Sequence, residues 1–228
     1  MITPTSSLKR ASLRDQALAV IREGMVSGEL EPGGIYSATA LAAELGVSAS
    51  PVREAMLTLV NQGLMEAVRN RGFRVVPLGD ADRREIYELR VMLEIPATQK
   101  VAEISSMKDH YDEYLGIAHE IVVAAREGDL IAYLDADRRF HLGLLGFLGN
   151  ERLVAMVDGL RDQTRLFGLK EMSERGDLTA SAEEHEPILD AIVAGDADKT
   201  GALMYKHFEH IKGDWAAGTP RRATLTVI

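Results

Sequence analysis

Leu130, Leu134, Asp137, His141, Leu144 and Leu148 follow one another at spacings of four, three, four, three and four. That spacing describes one stripe of an α-helix, and a stripe this apolar faces a core. An acid and a histidine sit at its centre. A buried carboxylate beside a buried imidazole costs several kcal/mol unless something neutralises the pair, and a divalent cation does so for two donors one turn apart. Two later segments supply further donors at inward positions. His185 shares a stripe with Leu189 and Ile192, and His207 shares one with Met204 and Ile211. Taken singly, an inward histidine is explained as a hydrogen-bonded core residue. On three separate helices at once, with an aspartate, the four residues Asp137, His141, His185 and His207 read as a cage for one divalent metal ion. Zinc is the expected ion, with nickel or manganese as alternatives. His110, His119 and His210 lack such an arrangement and read as surface or supporting residues.

A chain of 228 residues, 46% of them hydrophobic, accommodates one large or two modest globular domains. It has no cysteine, which excludes disulfides, thiolate metal sites and a cysteine nucleophile. Residues 1–10 lack the apolar core of a signal peptide, and no stretch approaches the ~18 apolar residues of a membrane span. The cytoplasm is the expected location, with no membrane partner. Charge is uneven: residues 1–78 hold eight Lys and Arg against seven acids, a balance of +1, so the net charge of −9 leaves −10 on the remainder. A locally basic end suffices for nucleic-acid binding, because the patch that faces phosphate matters more than the total.

That end, residues 1–78, reads as a winged helix-turn-helix. Ser12 and Asp15 have capping-box spacing and open a helix carrying Leu18, Ile21 and Met25, which Gly28 ends. A short helix over 38–45 stops at Gly46. Ser48-Ala49-Ser50-Pro51 then supplies cap residues, with Pro51 expected at the first helical position of a third helix running to Asn61. Two helices joined by a glycine-bearing turn can lay the second in a DNA major groove. Two strands, 64–68 and 73–76, follow around the basic tip Arg69-Asn70-Arg71-Gly72, where a glycine allows close backbone approach to a phosphate or groove.

The motifs Gly28-Glu29-Leu30-Glu31-Pro32-Gly33, Leu45-Gly46-Val47-Ser48, Pro51-Val52-Arg53-Glu54-Ala55 and Gly63-Leu64 resemble the DNA-binding domain of the GntR family of bacterial transcription regulators over residues 13–78. Ala49 and Thr39 stand where that family commonly has an arginine, and each lacks a guanidinium that could grip guanine bidentately. The expected DNA-facing residues are Thr39, Ser48, Ala49, Ser50 and Arg53 in the major groove, and Arg69, Arg71 and Gly72 on backbone or minor groove.

Residues 79–228 read as an all-α antiparallel bundle. Helices are expected over 81–104, 107–127, 130–148, 151–169, 180–194 and 197–215, broken at Gly128-Asp129, Gly149-Asn150, 173–177 and Gly195-Asp196. Glu88-Leu89-Arg90, Asp137-Arg138-Arg139-Phe140-His141, Gly149-Asn150, Glu184-His185 and His207 are similar to the ligand-binding FCD domain that partners the GntR domain in the FadR-like subfamily, over about residues 80–215. The resemblance implies a dimeric regulator of carbon-source genes in which the matching Asp and three His hold a metal and a small organic acid completes its coordination. Arg90 lies on the stripe of Ile86, Leu93 and Ala97, and Arg161 on that of Val154, Val157 and Thr164. Both are placed to clamp a carboxylate effector, or else to form a buried ion pair with an acid such as Glu94.

The chain thus reads as no enzyme but as a DNA-binding transcription regulator, a repressor of a catabolic operon. It is expected to act as a homodimer on palindromic double-stranded DNA, because one such domain reads only a few base pairs. The segment 76–81, with Pro77 and Gly79, is the expected hinge. The alternative is a metal-dependent hydrolase or lyase using the Asp/His site, with Glu88 or Glu94 as base.

Overall fold

The computed structural model of the chain describes residues 12–212, without the side chains at 164–168, 170, 171, 175, 211 and 212. The expected helix end at Trp215 and the stripe side chains Thr164 and Ile211 lie outside the described residues. The chain divides into two compact units, one up to Pro77 and one from Leu78.

In the first unit, α1 (Leu13–Ser27) begins with the Ser12–Asp15 capping box and ends at Gly28, which adopts φ 84°. Its inward residues Ala17, Ile21 and Met25 pack with α3 (Ala49–Asn61) through Val52, Ala55, Met56 and Leu59, all four fully buried. Ile21, Met25, Val52, Met56 and Leu59 each contribute about 1.5–3 kcal/mol by leaving water. Between them, α2 (Ala38–Glu44) is capped by Ser37 and turns at Gly46, φ 67°. Pro51 is the third helical residue of α3 and not the first. The position suits it equally, since the first four N–H groups of a helix have no partner inside it.

Strands β1 (Ile35–Tyr36), β2 (Met65–Val68) and β3 (Gly72–Val75) form an antiparallel sheet in the order β1-β3-β2. The sequence reading omitted β1, which is only two residues long. Gly72 owes its identity to this strand: it has φ 127°, and a Cβ there would lie 2.3 Å from the Tyr36 carbonyl oxygen. Asn70 takes the left-handed turn position, φ 59°, at the tip.

The second unit is helical among its described residues. Its elements are α4 (Asp80–Ala102), a 3-10 turn (Ser105–His110), α5 (Tyr111–Glu127), α6 (Leu130–Gly146), α7 (Glu151–Arg175), α8 (Asp177–Ala182), α9 (His185–Ala194) and α10 (Ala197–Lys212). The two Gly-Asp breaks act alike. Gly128 and Gly195 close α5 and α9 in the left-handed conformation, and Asp129 and Asp196 accept hydrogen bonds from Ala132 N and Lys199 N at the starts of α6 and α10.

Three expected helix spans differ from what is found. The helix expected over 107–127 begins only at Tyr111, after the 3-10 turn. The helix expected over 151–169 continues to Arg175, where Gly176 caps it at φ 80°. The helix expected over 180–194 is two helices with a break at Glu183-Glu184. Pro187 explains that break, because a continuous helix would need a proline N–H to reach residue 183 and would set the ring against that carbonyl.

Candidate functional site

The bend before α9 makes His185 its first residue, aimed at the face of α6 that carries Tyr133, Ala136, Asp137, Phe140 and His141, all buried. His207 reaches the same point from α10. Asp137, His141, His185 and His207 are all buried, and one donor atom from each lies within 4.8 Å of all the others. His141 Nε2 is 3.1 Å from His185 Nε2, and Asp137 Oδ1 is 3.7 Å and 3.4 Å from those two nitrogens. Ligands bound tetrahedrally at ~2.1 Å stand ~3.4 Å apart, so this spacing fits one zinc-sized ion.

The donor chemistry agrees. His185 Nδ1 lies 2.9 Å from the Ala182 carbonyl oxygen and can donate its proton there, which leaves Nε2, 3.4 Å from Asp137 Oδ1, as the nitrogen on the cluster side. Burial, followed by the positive charge of Arg161, holds the His141 pKa well below the ordinary histidine value. His141 is therefore a neutral imidazole, the form that binds metals.

Around this cluster runs a chain of buried charges. Arg161 Nη2 lies 2.5 Å from Asp137 Oδ2, and Arg161 Nη1 lies 2.5 Å from Glu94 Oε2. Arg90 Nε donates to Glu94 Oε1 at 2.6 Å while its guanidinium lies 4.9 Å from the Phe208 ring centroid. Burial alone would raise the Glu94 carboxyl, but Arg161 and then Arg90 outweigh it and hold the group below its usual value. Both arginines thus occupy the ion pair with Glu94 that the sequence offered as one of two readings. Arg161 also borders the metal cluster directly, through Asp137.

The sequence reading missed the role of Glu184. Its Oε2 lies 3.2 Å from both His207 Nδ1 and His210 Nε2, and its Oε1 lies 2.9 Å from Lys206 Nζ. Burial raises its pKa, but hydrogen bonds from His207 and Lys206 more than offset this and bring it to about 2. The signal for it was Pro187, which fixes the turn that carries Glu184.

In the first unit, Thr39, Ser48, Ser50, Arg53, Arg69 and Arg71 are exposed, and Ala49 and Gly72 are half-buried. Ser48 caps α3 by backbone conformation without a side-chain hydrogen bond, and Ser50 donates to Glu54. Arg53 and the tip residues Arg69, Arg71 and Gly72 line one cleft of about 480 Å³, with the Arg53 guanidinium 5.9 Å from the centroid of the Phe73 ring. The structure therefore gathers the basic tip and the start of α3 at one surface.

A basic winged helix-turn-helix followed by a helical unit is the architecture of a DNA-binding transcription regulator with a second, helical domain. Residues 85–210, more than half of the chain, match the FCD domain, and residues 13–75 match the gntR family of bacterial regulatory proteins; the chain belongs to the FCD-type regulators that join these two domains. It is 24% identical over 218 residues to the gluconate operon transcriptional repressor of Bacillus licheniformis, covering 93% of this chain and 89% of that one. It is 28% identical over 193 residues to the Nta operon transcriptional regulator of Aminobacter aminovorans, covering 82% and 88%. The solved structure of Escherichia coli McbR/YncC has the same fold, with a TM-score of 0.75 at 23% identity, covering 91% of this chain and 99% of that one. These families and relatives are transcription regulators and not enzymes. The hydrolase or lyase alternative finds no support: Glu88 is exposed and Glu94 is clamped between two arginines. No described helix is long and apolar enough to cross a membrane.

Proposed function

We propose that this protein is a homodimeric cytoplasmic repressor of a carbon-source operon, controlled by a small carboxylate that binds at a divalent metal held by Asp137, His141, His185 and His207. The carrying observation is the convergence of those four buried donors within 4.8 Å in the FCD unit. Zinc fits the one-carboxylate, three-imidazole set best, with nickel or manganese as alternatives. When bound, the ion supplies a positive centre with coordination left for a carboxylate. Arg161, already on Asp137, and Arg90 supply guanidinium forks for the same acid, in exchange for Glu94. The assignment of a repressor of sugar-acid genes draws on the name of the Bacillus relative.

On the DNA side, Thr39, Ser48, Ala49, Ser50 and Arg53 form the base-facing set, and Arg69, Arg71 and Gly72 grip the backbone or minor groove of a palindromic operator. The segment 76–81 is the proposed hinge through which the effector alters operator affinity. A gel-shift titration of the full chain on its own upstream DNA tests this reading, with and without zinc and with gluconate, lactate and dicarboxylates. One acid should change operator affinity, and operator should change the affinity for that acid by the same factor. Absence of binding to upstream DNA, or equal acid affinity with and without operator, contradicts it.

A further inference from the structure

Of the three clustered histidines, His185 rests its outer nitrogen on the backbone: its Nδ1 lies 2.9 Å from the Ala182 carbonyl oxygen. His207 has a side chain in the equivalent place, with Nδ1 3.2 Å from Glu184 Oε2 while its Nε2 is buried. Both anchors come from one short turn, residues 182–185, which also delivers His185 itself. We infer that Glu184 is a positioning residue for metal binding: it fixes the His207 ring and the tautomer that leaves Nε2 free of a proton. The inference rests on the metal reading proposed above.

A neutral imidazole carries one N–H, and only the other nitrogen can bind a metal. With the proton on Nδ1, His207 donates to the Glu184 carboxylate, and the buried Nε2 is left as a donor atom. The opposite tautomer would set a lone pair against the carboxylate and a proton where the ion belongs. The carboxylate also strengthens the donor, since a hydrogen bond from the outer N–H to an anion makes the ligating nitrogen more basic. Glu184 is itself well held. Its side chain is 13% exposed, Lys206 takes Oε1 at 2.9 Å, and His210 shares Oε2 at 3.2 Å. Lys206 is 69% exposed, so it braces the carboxylate from the solvent side and has no path to the cluster of its own.

The alternative is that Glu184 only ties α10 to the turn, as a surface ion pair with Lys206 does. Two measurements on the full-length chain separate the roles: zinc affinity by competition with a chromophoric chelator, and the tautomer of His207 from its imidazole 15N shifts in the metal-free protein. Glu184→Ala should weaken zinc binding about 10–100-fold and move His207 from the Nδ1–H form toward a mixture. Glu184→Gln keeps an acceptor oxygen without the charge. It should retain the Nδ1–H form and lose less affinity, and it remains informative if the alanine variant fails to fold. Lys206→Ala should move both readouts far less than Glu184→Ala, because the carboxylate that takes the His207 proton is still present; effects equal to those of Glu184→Ala would assign the role to the ion pair and overturn the inference. Wild-type zinc affinity and an unmoved tautomer in folded Glu184→Ala overturn the inference. If the wild-type chain binds no zinc, the metal reading fails, and the tautomer measurement still decides whether Glu184 orients His207.

Discussion

Three arginines of the winged unit and two of the helical unit sit in opposite environments. In the winged unit Arg53, Arg69 and Arg71 stand in water around one cleft. In the helical unit Arg90 and Arg161 are 1% and 4% exposed and are neutralised by Glu94 and Asp137. An exposed guanidinium costs the fold almost nothing and is available to a phosphate or a base. A buried one requires a carboxylate partner whether or not a ligand ever arrives. The same side chain therefore reports function in one unit and, first of all, structure in the other.

The largest effect that can break this contrast comes from Glu94. Glu94→Gln leaves two buried guanidinium groups facing an amide, and urea unfolding should show a loss of about 3–5 kcal/mol. A loss below 1 kcal/mol would mean that the arginines are hydrated and the contrast is false. The pH dependence follows the same logic. Arg161 and Arg90 depress the Glu94 carboxyl in the folded state against the raising effect of burial. A depressed carboxyl contributes stability that is complete above its unfolded value of ~4.3 and is lost as pH falls through the folded value. Stability measured by urea should therefore decline more steeply below pH ~4.3 in the wild type than in Glu94→Gln.

Arg53→Ala gives the intermediate effect, of the opposite kind. Stability should stay within about 0.5 kcal/mol, while affinity for an operator should fall by about 1–3 kcal/mol. A fall in stability with no change in DNA binding would place Arg53 among the structural arginines, through its contact with Phe73. Arg74 gives the smallest. It pairs with Glu66 across β3 and β2 with side chains 38% and 53% exposed, so Arg74→Ala should cost about 0–1 kcal/mol in urea unfolding.

The residues proposed to carry the chemistry of both units have spacings that show in the sequence. The helical stripe around Asp137 and His141 and the inward positions of His185 and His207 are local patterns, and so were legible. The turn chemistry at Ser12, Gly46 and Gly28 was legible for the same reason. Three features were not. Strand β1 exists only because Ile35-Tyr36 pairs with Phe73-Arg74 nearly forty residues later, and no local pattern encodes that pairing. The break that aims His185 is signalled by Pro187, but the apolar period of 180–194 runs through it and masks the signal. Glu184 sits in that break, outside any stripe, and its tie to His207 spans two helices. The partner of Arg90 and Arg161 was one of two possibilities on sequence grounds. Glu94 stands one turn from Arg90 on α4, and packing of α4 against α7 brings Arg161 to it.

Elemental analysis of the purified full-length chain decides most directly whether Asp137, His141, His185 and His207 hold an ion. The expected result is about one divalent metal per chain, zinc foremost, released by a chelator and absent from a variant with alanine at all four positions. A four-alanine variant that folds and keeps the full metal content would contradict the site outright, as would a wild-type chain that takes up no divalent metal when supplied with excess.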